Sequence, residues 1–186
     1  MSRKPNTMKK ILGIAILATL FACNQADKKS TDVKDSTQKD ASLKVSNVEI
    51  KDLKKSKILA QYIDLKNALV ASDATKVQHA AADLKTSLQN YEGCEPTAEI
   101  ADKIATSNNL AQQRKNFTTL SADVIALFKN TEVTSGTIYV QHCPMANKGD
   151  GGDWLSTEKE IKNPYYGSDM LECGRVTEEI NKNSKL

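Results

Sequence analysis

The sequence predicts a mainly α domain: an antiparallel bundle of three or four helices, followed by an irregular C-terminal segment that carries cysteine and methionine, with at most a short β element. Three observations predict it. Apolar residues recur at steps of three and four from Ile50 to Phe128, the period of a helix face. Cap and turn residues interrupt that pattern with short connections, which favour antiparallel neighbours. Six of the eight glycines lie at or beyond Gly136, where the helical period stops.

The elements follow in order. Arg3, Lys4, Lys9 and Lys10 form a basic leader, and Ile11 to Ala22 is an apolar run broken by Thr19. Such a run makes a helix of about 18 Å, too short for a bilayer core of about 30 Å, so residues 1–22 read as a signal peptide. Leu20-Phe21-Ala22-Cys23 resembles the bacterial lipobox. That resemblance implies cleavage before Cys23 and lipidation of its thiol, and therefore attachment to a membrane through acyl chains. The alternative is an ordinary secretory signal with a coincidental cysteine. Asn24, read by the enterobacterial sorting pattern, implies an outer-membrane lipoprotein facing the periplasm. Removing the leader's four basic residues takes the formal charge from +3 to −1. A near-neutral mature chain lacks the clustered basic footprint of a nucleic-acid binder. Residues 23–44 read as the lipidated cysteine and a flexible tether, because mixed Lys and Asp with little apolar content cannot offset chain entropy.

Residues 45–186 read as a single helical domain. Ile50, Leu53, Ile58, Tyr62, Leu65 and Leu69 form the first stripe, ended by Ser72-Asp73. Val77, Ala80, Ala81, Leu84 and Leu88 form the second. Gly93 and Pro96 interrupt, and Thr97 is placed to cap a short helix holding Ile100 and Ile104. Leu110, Gln113, Phe117, Leu120, Val124, Leu127 and Phe128 mark a long amphipathic helix. Thr137 to Gln141 is β-branched and aromatic, and reads as one short strand. Asn147 to Asp153 is a glycine-rich loop; Gly149 and Gly151 leave it without the side-chain ligands of an EF-hand. Asn163-Pro164 marks a turn.

The chemistry concentrates near the C-terminus. His142-Cys143-Pro144-Met145 and Met170-Leu171-Glu172-Cys173-Gly174 put two thiols, two thioethers and an imidazole in a short stretch. Thiolates from Cys143 and Cys173 with thioethers from Met145 and Met170, and His142 as a further donor, form a soft ligand set suited to Cu(I) or Ag(I). The competing reading is a Cys143–Cys173 disulfide with Cys94 left over, natural in an exported chain. Methionines also fill irregular cores without binding anything. His79 has no cysteine or histidine beside it in sequence and reads as a surface or packed residue. No Cys-x-x-Cys, nucleophile elbow or His-Glu-x-x-His motif is present, so nothing points to an enzyme.

Cys143-Pro144-Met145, Trp154-Leu155-Ser156, Ile161, Asn163-Pro164-Tyr165-Tyr166-Gly167 and Met170-Leu171-Glu172-Cys173-Gly174 resemble a family of bacterial exported domains of unknown function. Tyr62-Leu65-Leu69 and Arg114-Phe117-Leu120-Ser121 fit the same pattern, so the likeness spans about residues 55 to 180. Members occur as lipoproteins, and related domains end the periplasmic adaptor subunits of copper/silver efflux systems. Tyr139 to Met145 is similar to the start of heavy-metal-binding modules, with Ala146 where those carry a histidine. The resemblance implies a helical exported domain associated with heavy-metal handling; with the soft ligand set it leads to the expectation of a lipoprotein that buffers a soft ion or hands it to an efflux adaptor or another envelope protein. The bland alternative is a metal-free interaction domain held by a disulfide.

Overall fold

The computed structural model describes residues 47–184. The leader, the lipidation candidate Cys23 and the tether lie outside them. Four helices come first: α1 (Leu53–Val70), α2 (Ala74–Gln89), α3 (Glu95–Ala105) and α4 (Leu110–Phe128). A two-residue strand β1 (Glu49–Ile50) precedes them and pairs antiparallel with β2 (Val133–Ser135). Strands β3 (Thr137–Cys143), β4 (Gly152–Ser156) and β5 (Arg175–Asn181) form an antiparallel sheet in the order β4-β3-β5.

Three of the four helices, α1, α2 and α4, start where a side chain satisfies free amides of the first turn. Asp52 Oδ1 accepts from Lys54 N at 2.9 Å and Lys55 N at 3.1 Å. Asp73 does the same for Lys76 N at 3.0 Å, and Asn109 for Gln112 N at 3.0 Å. The third helix departs from expectation. Thr97 lies inside it rather than at its cap and binds Asp123 Oδ2 at 3.1 Å. The helix begins at Glu95 because Pro96 falls in its first turn, where a missing N–H costs nothing. Ile50, grouped by period with the first helix, belongs to β1 instead, since Asp52 sets the helix start after it.

The larger correction concerns the C-terminal third. It was expected to be irregular, with one short strand; it is organised by a three-stranded sheet. β3 matches the expected strand and runs two residues further, to Cys143. β4, Gly-Asp-Trp-Leu-Ser, begins with a strand breaker, and β5, Arg-Val-Thr-Glu-Glu-Ile-Asn, carries three charges. Neither shows a plain alternation of apolar and polar residues. β5 also contains an irregularity opposite Val140 and Gln141, where Thr177 Oγ1 donates to Val140 O at 3.2 Å.

Helices and sheet share one core. Tyr62 of α1 stacks on Phe117 of α4 at 5.6 Å between ring centroids, Phe117 meets Tyr165 at 5.8 Å, and Tyr165 meets Trp154 of β4 edge-on at 6.1 Å. The two tyrosine hydroxyls then finish the outer edge of β4. Leu155 N donates to Tyr62 Oη at 3.2 Å, and Tyr165 Oη donates to Asp153 O at 2.9 Å. The Tyr62 hydroxyl is also hydrogen-bonded to Ser121 Oγ of α4. A strand edge that would otherwise leave a buried amide unpaired is thus closed by side chains from the helical half. Burial holds the Tyr62 phenol well above its ordinary pKa, so it stays a neutral donor and acceptor.

Candidate functional site

The site is built at the end of β3 and the start of β5. Cys143 is the last residue of β3, paired with Gly152 and fully buried. Cys173 reaches it from the segment before β5. Gly174 makes that approach feasible: its φ is +151°, and a Cβ there would sit 2.9 Å from His142 O and 3.0 Å from the Trp154 ring. Only glycine accepts both the backbone conformation and the proximity. The segment is held from behind by Asn163. Its side chain donates to Cys173 O at 3.0 Å and accepts from Tyr165 N at 2.8 Å, while its backbone N–H donates to Leu171 O at 2.9 Å. Arg114 of α4 ties this turn to the bundle, donating to Pro164 O at 2.9 Å, Leu69 O at 3.1 Å and Ser72 Oγ at 2.9 Å.

The two free cysteines' sulfurs face each other at 2.7 Å. Cys143 is buried, and Cys173 is half-buried. The contact with Cys143, followed by burial, pushes the Cys173 thiol above its ordinary pKa, with only the Met145 backbone amide pulling the other way. This is the reverse of a reactive cysteine, whose thiolate is favoured by a cation or a helix N-terminus.

The other expected ligands are distributed less favourably. His142 adjoins Cys143 on a strand, so its ring takes the opposite face of the sheet. There its Nδ1 meets Asp153 Oδ1 at 2.9 Å. Met145 is 53 % exposed, and its carbonyl accepts from the Tyr166 hydroxyl. Met170 is half-buried, in a turn of 3₁₀ helix at Gly167–Met170, where its carbonyl accepts from Cys173 N at 3.1 Å. Cys94 stands at the start of α3, in the helical part of the core. Among the described residues, no three or more His, Cys, Asp or Glu side chains are grouped to hold a metal ion.

Residue-type reasoning missed the polar residue that organises the floor of this region. Gln141 is fully buried on β3. Its Oε1 accepts from Trp154 Nε1 at 2.7 Å, and its Nε2 is surrounded by the carbonyls of Glu158, Lys159 and Glu160 at 2.9, 3.3 and 3.2 Å. The amide shapes the loop after β4. A glutamine inside a strand of β-branched neighbours was the available sign.

Comparison with known proteins bears on the helical half. Residues 58–136 match a family model described as protein of unknown function, DUF3347. The DUF3347 segment runs from within α1 to the glycine before β3. The sheet and the cysteine pair lie outside it. No curated protein and no solved structure matches the chain.

Proposed function

We propose that this chain is a non-enzymatic interaction module of the cell envelope, in which Cys143 and Cys173 close as a disulfide that staples the C-terminal sheet. The sulfur separation carries the reading. A disulfide needs about 2.05 Å, so the observed 2.7 Å leaves roughly 0.7 Å to close. One ion held by both sulfurs at metal–sulfur bonds of about 2.3 Å and a tetrahedral angle needs a gap near 3.8 Å. That requires opening the pair by more than 1 Å. Closing the bond releases two protons and two electrons, which the disulfide of an envelope thiol oxidant accepts.

The basic leader, the apolar run and Leu20-Phe21-Ala22-Cys23 support export and lipid anchoring at Cys23, in the outer membrane facing the periplasm. An oxidising compartment is where such a staple persists. The partner is an envelope protein, with an efflux adaptor the candidate drawn from the family resemblance.

A second reading keeps the pair reduced and binds Cu(I) or Ag(I) through Cys143 and Cys173, with Met145 and Met170 alongside. The convergence of two stretches distant in sequence favours it; the narrow gap and the exposure of Met145 weigh against it. Alkylation of freshly isolated protein under denaturing, non-reducing conditions separates the two. The staple predicts that Cys94 alone is labelled among Cys94, Cys143 and Cys173. Full labelling of Cys143 and Cys173, with Cu(I) binding that is lost on Cys143→Ser/Cys173→Ser, overturns it in favour of the ion.

A further inference from the structure

A second region of the molecule, outside the sulfur pair, holds unmatched polar groups in an ordered array. Helices α1 and α2 lie side by side in opposite directions, and two cavities open between them. The smaller, of about 140 Å³, is lined by Lys54 and Lys57 of α1, Ser87 of α2 and Asn90, which caps the end of α2. The larger, of about 460 Å³, includes Gln61 and Asp64 of α1 with Asp83 of α2. Lys57 and Gln61 are one turn apart on α1, and Asp83 and Ser87 one turn apart on α2, so the cavities follow each other along one groove.

Lys54 Nζ donates to Asn90 O at 3.3 Å and Asn90 Nδ2 to Thr86 O at 2.8 Å, but other groups in this groove have no partner among the described residues. Ser87 is 8 % exposed, and among the described residues its hydroxyl has no hydrogen-bond partner. The buried Gln61 Oε1 likewise has no partner among the described residues. Among the described residues, Lys57, Asp64 and Asp83 form no ion pair with one another or with any other residue, whereas Lys76, at the far end of the larger cavity, is engaged by Asp73 at 3.3 Å. Burial, then the charge of Asp83, pushes the Asp64 carboxyl above its ordinary pKa, so a nearby cation would relieve it. A buried polar atom left unpaired costs free energy that a bound partner would recover.

We propose that the α1–α2 groove binds a short zwitterionic peptide, its terminal carboxylate between Lys54, Lys57 and Ser87 and its terminal ammonium between Asp64, Asp83 and the Gln61 carbonyl. The spacing selects the length. Lys57 and Asp64 are seven residues apart on one helix, about 10 Å of rise. Three extended residues span about 10 Å. The alternation of charge excludes a polyanion, which the two aspartates would repel.

The test is calorimetric titration of the full chain at low ionic strength with triglycine, C-terminally amidated triglycine and N-acetyl triglycine. The free peptide binds most tightly, and blocking either end weakens binding by about fivefold or more, the loss of one charge-assisted contact. In Lys54→Gln/Lys57→Gln the amidated and free peptides bind alike; in Asp64→Asn/Asp83→Asn the acetylated and free peptides bind alike. All these substitutions lie on exposed or helix-compatible positions, and far-ultraviolet circular dichroism verifies that the fold persists. Failure of triglycine to bind at millimolar concentration overturns the proposal. So does equal binding of blocked and free peptides by the wild-type chain, or an end-group effect that survives the matching substitution.

Discussion

Lys66 shows how one side chain can work against its own fold. It lies on α1 with its residue surface 3 % exposed. Burial pushes its ammonium down to about 8, against a partial pull upward from Glu158 and a further push from Lys162. A lysine whose folded pKa is below its unfolded value binds fewer protons when folded, so stability rises as pH climbs from about 8 towards 10.5. Below that window the cost is fully present. Lys66→Met keeps the stem and removes the charge, and is expected to stabilise the domain by roughly 1–3 kcal/mol at neutral pH. The advantage shrinks above pH 8 in urea denaturation series run at several pH values. A gain independent of pH would mean that packing, not charge, is responsible. Tyr62 is the opposite case: its hydroxyl serves both Leu155 N and Ser121. Tyr62→Phe strands a buried amide and is expected to cost about 1–3 kcal/mol in the same measurement. Tyr62 was legible in sequence as a core residue by its period. The task of its hydroxyl was not, because Leu155 lies 93 positions away.

At the scale of elements, the helices were legible and the sheet was not, for a physical reason. A helix closes its hydrogen bonds within a few residues, so its period and caps are local: Asp73 and Asn109 each stand beside the amide they serve. A strand takes its partner from elsewhere. β5 meets β3 only after the turn built by Asn163, and its charged residues hide any alternation. The meeting of Cys143 with Cys173 was anticipated from residue type alone. What brings them together, Gly174 and the Asn163 side chain, was not. The β1–β2 joint is another contact invisible in sequence. Gly136 has φ +80°, and a Cβ there would lie 2.1 Å from Asn47 O. That neighbour is backbone and cannot swing aside. Gly136→Ala is therefore expected to destabilise by about 2 kcal/mol or more. Amides of β1 and β2 should lose hydrogen-exchange protection before those of α1. Uniform loss across all elements would refute the local assignment.

Across the whole molecule, two halves rely on each other unequally. The DUF3347 match runs from within α1 to Gly136, while β3 with Cys143 and the segment carrying Cys173 follow it. The helices close their own backbone bonds, but β4 depends on hydroxyls from Tyr62 and Tyr165 for its outer edge. The Asn163 turn likewise depends on Arg114 of α4. The sheet therefore needs the bundle more than the bundle needs the sheet. A Cys143–Cys173 bond would reduce that dependence by closing a loop containing β4 and the turn. In the chain-entropy picture a loop of this length contributes roughly 3–4 kcal/mol. Cys143→Ser/Cys173→Ser is accordingly expected to lower stability by about that amount. Adding a reductant should shift the wild-type protein towards the variant and leave the variant unchanged. Hydrogen exchange should open first in β5 and the segment from Asn163 to Gly174, with α1 and α4 protected longest. If reductant leaves wild-type stability unmoved, the two sulfurs are not joined in solution, and the C-terminal sheet is held by the tyrosine and asparagine contacts alone.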